Sequence, residues 1–252
     1  MSFNYGADPV VTGGSIKQAA AGQHEARLSG IIHLGQYEDT FGGKKKPAAP
    51  FVCAIFELKS GEEGGGINDD GTPIMVHKSF ALKKGDRATL TKFMKVMLTP
   101  AEFKSHEAGV LEGGFEDFIG RPLLIDMEGS KKKDDNGEAA YTNVASMSKM
   151  PAKLAKLCEE LELESVGHVP FDKLDELALR TLPPFEIWGK LEDSIDFPGS
   201  AVEEVLAAIR KDDAEFGTKK PKDGDDKGSD KGADKAPPER KREDLNEEED
   251  FS

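Results

Sequence analysis

Two lysine triplets are the residues whose type and spacing best suit them to chemistry: Lys44, Lys45 and Lys46 in FGGKKKP, and Lys131, Lys132 and Lys133 in GSKKKDDNG. Three adjacent ammonium groups on a loop can follow a phosphate backbone, neutralising its charges and releasing its counterions. Flat side chains flank them: Tyr37 and Phe41 before the first triplet, Tyr141 after the second. A ring beside a cationic track is what an unstacked base needs. Arg27, Lys78 and Lys149 fall on the neighbouring apolar stretches and extend the track. Phe51 and Phe80 sit among apolar residues and are expected in the core instead. One triplet alone is ordinarily a solvated loop; two at matched positions form a pattern.

Catalytic patterns are missing from the sequence. The five histidines (24, 33, 77, 106 and 168) show no HxH or HExxH spacing, and there is no CxxC, Walker loop or GxSxG. Asp69-Asp70 and Asp134-Asp135 are carboxylate pairs in polar loops without an associated histidine, so they do not make a metal constellation. No catalytic residue, metal site or cofactor is expected.

The elements that must carry the triplets can be read from periodicity. Arg27 to Tyr37 alternates, with Leu28, Gly30, Ile32 and Leu34 on one parity, as in a strand with one buried face. Phe51 to Leu58 is rich in aromatic and β-branched residues and almost continuously apolar, as in a well-buried strand. Ile74 to Leu82 reads as a third strand. Leu90, Phe93, Met94 and Met97 mark one face of a helix, with Asp86 as its expected N-cap and Pro100 as its stop or kink. Pro122 to Glu128 and Ala140 to Met150 complete the set, joined by a loop with an Asn136-Gly137 turn. The order β-β-β-α-β-β is that of an OB-fold, a five-stranded, partly open Greek-key barrel. The triplets then fall in the loops between strands one and two and between strands four and five. In that fold these loops flank the nucleic-acid groove on the face of strands two and three.

The fold class expected is therefore mainly β with helices. Residues 1–22 read as an arm and 23–151 as the OB-type nucleic-acid-binding domain. Residues 152–210 read as a helical elaboration packed on the barrel or a dimerisation element, with Ser200 capping a last helix. Residues 211–252 carry fifteen acidic and ten basic side chains in Lys-Asp-Gly units and read as a disordered acidic tail. The chain of 252 residues has a net charge of -14. An acidic body argues against coating by nucleic acid through global charge, so binding must be local. Cys53 and Cys158 read as unpaired core thiols of a reducing compartment. No apolar run is long enough to span a membrane and no signal pattern opens the chain, so a cytoplasmic, soluble protein is expected. In the tail, Glu247, Glu248, Glu249, Asp250 and Phe251 can compete for a basic groove or dock on basic pockets of partner proteins, with Phe251 as anchor.

The stretches HEARLSGIIHLGQYEDTFGGKKKPAAPFVCAIFEL and FIGRPLLIDMEGS…AAYTNVASMSKMP resemble phage-encoded single-stranded DNA-binding proteins over about residues 24–151. The ending Glu-Asp-Phe-Ser is similar to the acidic, phenylalanine-tipped tails of bacterial and T7-type single-stranded DNA-binding proteins, though here Ser252 follows the phenylalanine. The resemblance implies a role in DNA replication, recombination and repair. The protein would protect exposed strands and recruit polymerase, helicase or primase, in the host cytoplasm if phage-encoded. Two other readings remain: a structural or adaptor protein acting through the acidic tail, and a metal-dependent nuclease.

Overall fold

The computed structural model describes residues 18–38, 40–41, 44–45, 47–59, 66–68, 71–109, 113–133, 137 and 139–218. Its organising strand is β1 (Gly22–Tyr37), which starts five residues before the alternation in the sequence suggests. The following strands are β2 (Thr40–Phe41), β3 (Lys44–Lys45), β4 (Ala49–Leu58), β5 (Met75–Ala81), β6 (Pro122–Gly129), β7 (Thr142–Ser148) and β8 (Gly167–Val169). The main sheet runs β5-β4-β1-β6-β7, antiparallel throughout, with β8 added parallel to β1. One edge of β1 is shared: Gly22 to Arg27 pair with β6, and Gly30 to Ile32 pair with β8.

β1 is bent by register shifts between Leu28 and Gly30 and between His33 and Gly35. A bulge of this kind reverses which side chains face inward. Leu28 and Ile31 therefore point into one core, while Ile32 and Leu34 point into another. This corrects the single-parity expectation for Leu28, Gly30, Ile32 and Leu34. Gly35 has φ +87, a conformation that disfavours a side chain. Gly30 is held for a different reason: a Cβ there would lie 2.7 Å from Val166 Cβ, where β8 approaches.

The first core lies between the sheet and the helix pair α1 (Thr89–Met97) and α2 (Pro100–Glu107). Phe93, Met94 and Met97 of α1 share this core with Val52, Ala54 and Phe56 of β4, and the ring of Phe93 meets those of Phe80 and Phe118; each large side chain among them stabilises by about 1.5–3 kcal/mol when fully buried. α1 begins after Ala88 with no side-chain cap, so Asp86 is not its N-cap. Thr99 instead caps α2 in a capping box with Glu102, with Pro100 at the first helical position.

The second core lies on the opposite face of β1 and β4. Over it pack α4 (Glu176–Thr181), α5 (Pro184–Glu186), a π turn at Ile187–Leu191 and α6 (Ala201–Asp212), while α3 (Ala152–Glu159) lies against β1 and β6. Leu174, Leu179, Leu182, Ile187, Leu191, Val202, Leu206 and Ile209 cover Ile32, Leu34, Cys53 and Ile55. Ser200 caps α6, accepting from the Glu203 amide. The double burial explains why β4 reads as a continuous apolar run. Cys53 and Cys158 are both free and buried. Among the described residues, no backbone ladder joins β5 to β7, so the sheet is open there. Among the same residues, no helix is long and apolar enough to cross a membrane.

Candidate nucleic-acid interface

The described lysines of the two triplets lie beyond opposite ends of β1. Lys44 and Lys45 form β3, which pairs with Thr40 and Phe41 in a small hairpin just beyond Tyr37, the last residue of β1. Lys46 lies outside the described residues, as do the tail positions Glu247, Glu248, Glu249, Asp250 and Phe251. The second triplet follows Gly129 at the end of β6, whose Met127 pairs with Gly22, the first residue of β1. Lys131, Lys132 and Lys133 are all exposed. Their loop is held from within, because Ser130 Oγ donates to the Lys132 carbonyl at 2.8 Å and Lys133 bridges to Ala139. Tyr141 closes the loop and is half exposed, at 48%. Gln18 and Ala19 brace this end: Gln18 Nε2 donates to the Ala140 carbonyl, and Thr142 Oγ1 donates to that of Ala19.

At the hairpin end, Tyr37 stacks obliquely on Phe51 with ring centroids 5.8 Å apart. Lys190 Nζ lies 4.6 Å from the Tyr37 centroid and 4.9 Å from that of Phe51, a shared cation–π contact. The Tyr37 hydroxyl donates between the Gly189 carbonyl and Asp193 Oδ2, at 3.3 and 3.2 Å. Burial, then the Asp193 carboxylate, raises the Tyr37 phenol above its ordinary range. Sequence spacing could not reveal Lys190 or Asp193, which come from the π turn and the residues just after it, far along the chain.

Arg27 of β1, Lys78 of β5 and Lys149, just after β7, are engaged within the fold. Arg27 Nε donates to the Gly120 carbonyl at 2.8 Å and its Nη1 to that of Leu161 at 2.7 Å. Lys78 Nζ donates to the Val144 carbonyl at 2.6 Å, joining β5 to β7 across the open side of the sheet. Lys149 Nζ donates to the Leu98 carbonyl at the end of α1. The outer face of β1 and β4 is sealed by the helical layer, and β5 is tied to it where His77 Nε2 donates to the Thr181 carbonyl at 3.0 Å.

Two further clusters carry no signal in the sequence. His33 Nε2 and His168 Nε2 lie 3.0 Å apart, with Glu116 Oε2 3.2 Å from His168 Nδ1 and Phe115 edge-on to both rings. A proton on His168 Nδ1 facing Glu116 leaves its Nε2 to accept from His33. Burial, then His168, lowers the His33 pKa. Beyond the other end of β4, Lys59 pairs with buried Glu57, whose other oxygen accepts from the Glu164 amide at 2.7 Å. Together they clamp the segment after α3 to the sheet. Among the described residues, no group of three or more His, Cys, Asp or Glu is placed to hold a metal ion. In comparison with known proteins, no family model, no curated protein and no solved structure matches the chain.

Proposed function

We propose that the chain is a non-catalytic single-stranded DNA-binding protein, of the phage-encoded kind its sequence resembles, acting in replication, recombination and repair. The observation that carries this is the pair of lysine triplets on connections that bracket one sheet in a protein of net charge -14. Local cation density of this sort contacts phosphates, whereas the acidic body repels nonspecific polyanion. The sheet itself fits an open OB-type barrel: β1, β4, β5, then the helix pair, then β6 and β7, with Lys78 reaching across the gap. Lys44–Lys46 and Lys131–Lys133 contact phosphates, with Tyr37, Phe41 and Tyr141 as stacking partners for bases. Because helices cover the outer sheet face, the strand is held at loops and rims rather than along a bare sheet. Buried free thiols fit a reducing cytoplasm. The acidic end, Glu247 to Phe251, recruits replication partners.

The test is fluorescence anisotropy with labelled oligothymidine and the matching duplex, comparing wild type with a variant in which all six triplet lysines are alanine. The expected result is salt-sensitive single-strand binding, weaker on duplex and weakened in the variant. The log–log salt slope should fall by roughly 0.7 for each lysine that no longer meets a phosphate. Absence of single-strand binding by folded wild type would overturn the proposal in favour of an adaptor acting through the tail.

A further inference from the structure

A third cationic surface lies on the helix pair. Residues 83–107 hold six basic and three acidic side chains besides His106, against a chain that is acidic overall. Lys84, Arg87, Lys92, Lys95 and Lys104 are distributed over this segment, and none is ion-paired with a described residue. The segment Thr89–Met97 contains no acid at all, and Lys92 and Lys95 lie three apart on one face. Of the three acids, Glu102 is already committed: it accepts from the Thr99 amide at 2.6 Å and meets Arg121 at 3.5 Å. The cations also have a ring among them. Lys95 Nζ sits 5.4 Å from the centroid of Phe103, which is only partly buried and lies 6.2 Å from the His106 ring.

We infer that the α1–α2 corner is a further contact surface for the same single strand, with Lys92, Lys95 and Lys104 on phosphates and Phe103 beneath a base. It rests on the single-strand reading above and adds a site to it. The physical case is an exchange of partners. Lys95 now lies on the Phe103 ring, a contact worth about 0.5–1 kcal/mol at an exposed site. A phosphate draws the ammonium away and leaves the ring face open, and base–aromatic stacking contributes about 1–3 kcal/mol. The sealed outer face of β1 and β4 strengthens the case, since a strand leaving either lysine loop cannot continue across it. Arg27, Lys78 and Lys149 donate to main-chain carbonyls, whereas Lys92, Lys95 and Lys104 have no such ties among the described residues.

The test is lysine acylation footprinting of the full chain, free and saturated with oligothymidine, read by mass spectrometry. It is paired with anisotropy on a Lys92→Gln, Lys95→Gln, Lys104→Gln variant. The substitutions fall outside the core, and an unchanged circular dichroism spectrum checks the fold. The expected result is that all three lysines react in the free chain and are protected by the strand. The variant's salt slope should fall by about two, making it about 20-fold less sensitive to a fourfold salt change. Equal reactivity with and without bound strand, or an unchanged slope, would overturn the site while leaving the triplet-borne function standing. Protection already present in the free chain would also overturn it, because the lysines would then belong to another occupant such as the acidic C-terminal residues. Failure of wild type to bind any single strand would instead remove the function on which the site rests.

Discussion

Acid should loosen the contact between β5 and the helical layer through His77. Its Nε2 donates to the Thr181 carbonyl, and burial pushes its pKa down to about 4 from the ordinary 6.5. The sign follows from proton uptake. Below 6.5 the unfolded chain binds a proton that the folded chain refuses until about 4, so stability is full above pH 7 and is lost as pH falls through that window. At 1.36 kcal/mol per pKa unit the complete shift corresponds to about 3.4 kcal/mol, of which about 2.5 kcal/mol is lost by pH 4.5. Part of His77 reaches solvent, which reduces the expected loss to about 1.5–2.5 kcal/mol. The comparison is His77→Gln, which is neutral at every pH and keeps an N–H for Thr181. Urea unfolding followed by the single tryptophan, Trp188, gives both stabilities between pH 7.5 and 4.5. Other titrating groups cancel in the difference, which should grow steadily as pH falls, wild type losing more. A difference that stays within about 0.5 kcal/mol across the range would refute the packing of α4 on β5.

Other perturbations test other joints of the fold. Glu186 is 4% exposed, its Oε2 has no hydrogen-bond partner among the described residues, and burial raises its pKa. Glu186→Gln should therefore stabilise the chain by about 1–2 kcal/mol at pH 8, by urea unfolding, with the gain vanishing as acid neutralises the wild-type carboxyl. Gly35→Ala meets both a positive φ and a Cβ position 2.5 Å from Ser194 Oγ. It should cost more than about 2 kcal/mol, lowering Tm by at least about 5 °C in a thermal melt. Lys78→Met keeps the apolar stem but leaves the Val144 carbonyl without its donor. Urea unfolding should show a destabilisation of about 1–3 kcal/mol, and hydrogen exchange should rise first in β7.

The strand order was legible because its signals are local. The apolar run Phe51–Leu58 and the Leu90–Met97 stripe each declare an element within a dozen residues, whereas Asn136 of the expected Asn136-Gly137 turn lies outside the described residues. What escaped was set by contacts between distant segments. The bulge at Ser29 has no sequence mark, because it exists to let β8 and the Glu164 carbonyl, to which Ser29 Oγ donates, approach β1. β8 itself is three residues long, too short for any period to show. Asp86 suits a cap by type alone, but the chain enters α1 at Ala88, two residues later.

The cations carry the same lesson further. A lysine in an apolar strand and a lysine in a polar loop look alike in charge, yet the strand ones have a second use. A sheet left open between β5 and β7, or a junction where β6 gives way to β8, exposes carbonyls that would otherwise be buried without a donor, at about 1–3 kcal/mol each. Long basic side chains reach them while keeping their stems in the core. Arg27 at the β6–β8 junction, Lys78 across the gap and Lys149 at the end of α1 all do this. Neutralising any one of them should show mainly in stability and little in a salt slope. The exposed Lys131–Lys133 and the α1–α2 lysines should behave the other way round, with unchanged urea midpoints and a shallower salt dependence. A Lys78→Met variant that kept its midpoint but bound oligothymidine with a reduced slope would reverse that division, and would place the strand at the open side of the sheet.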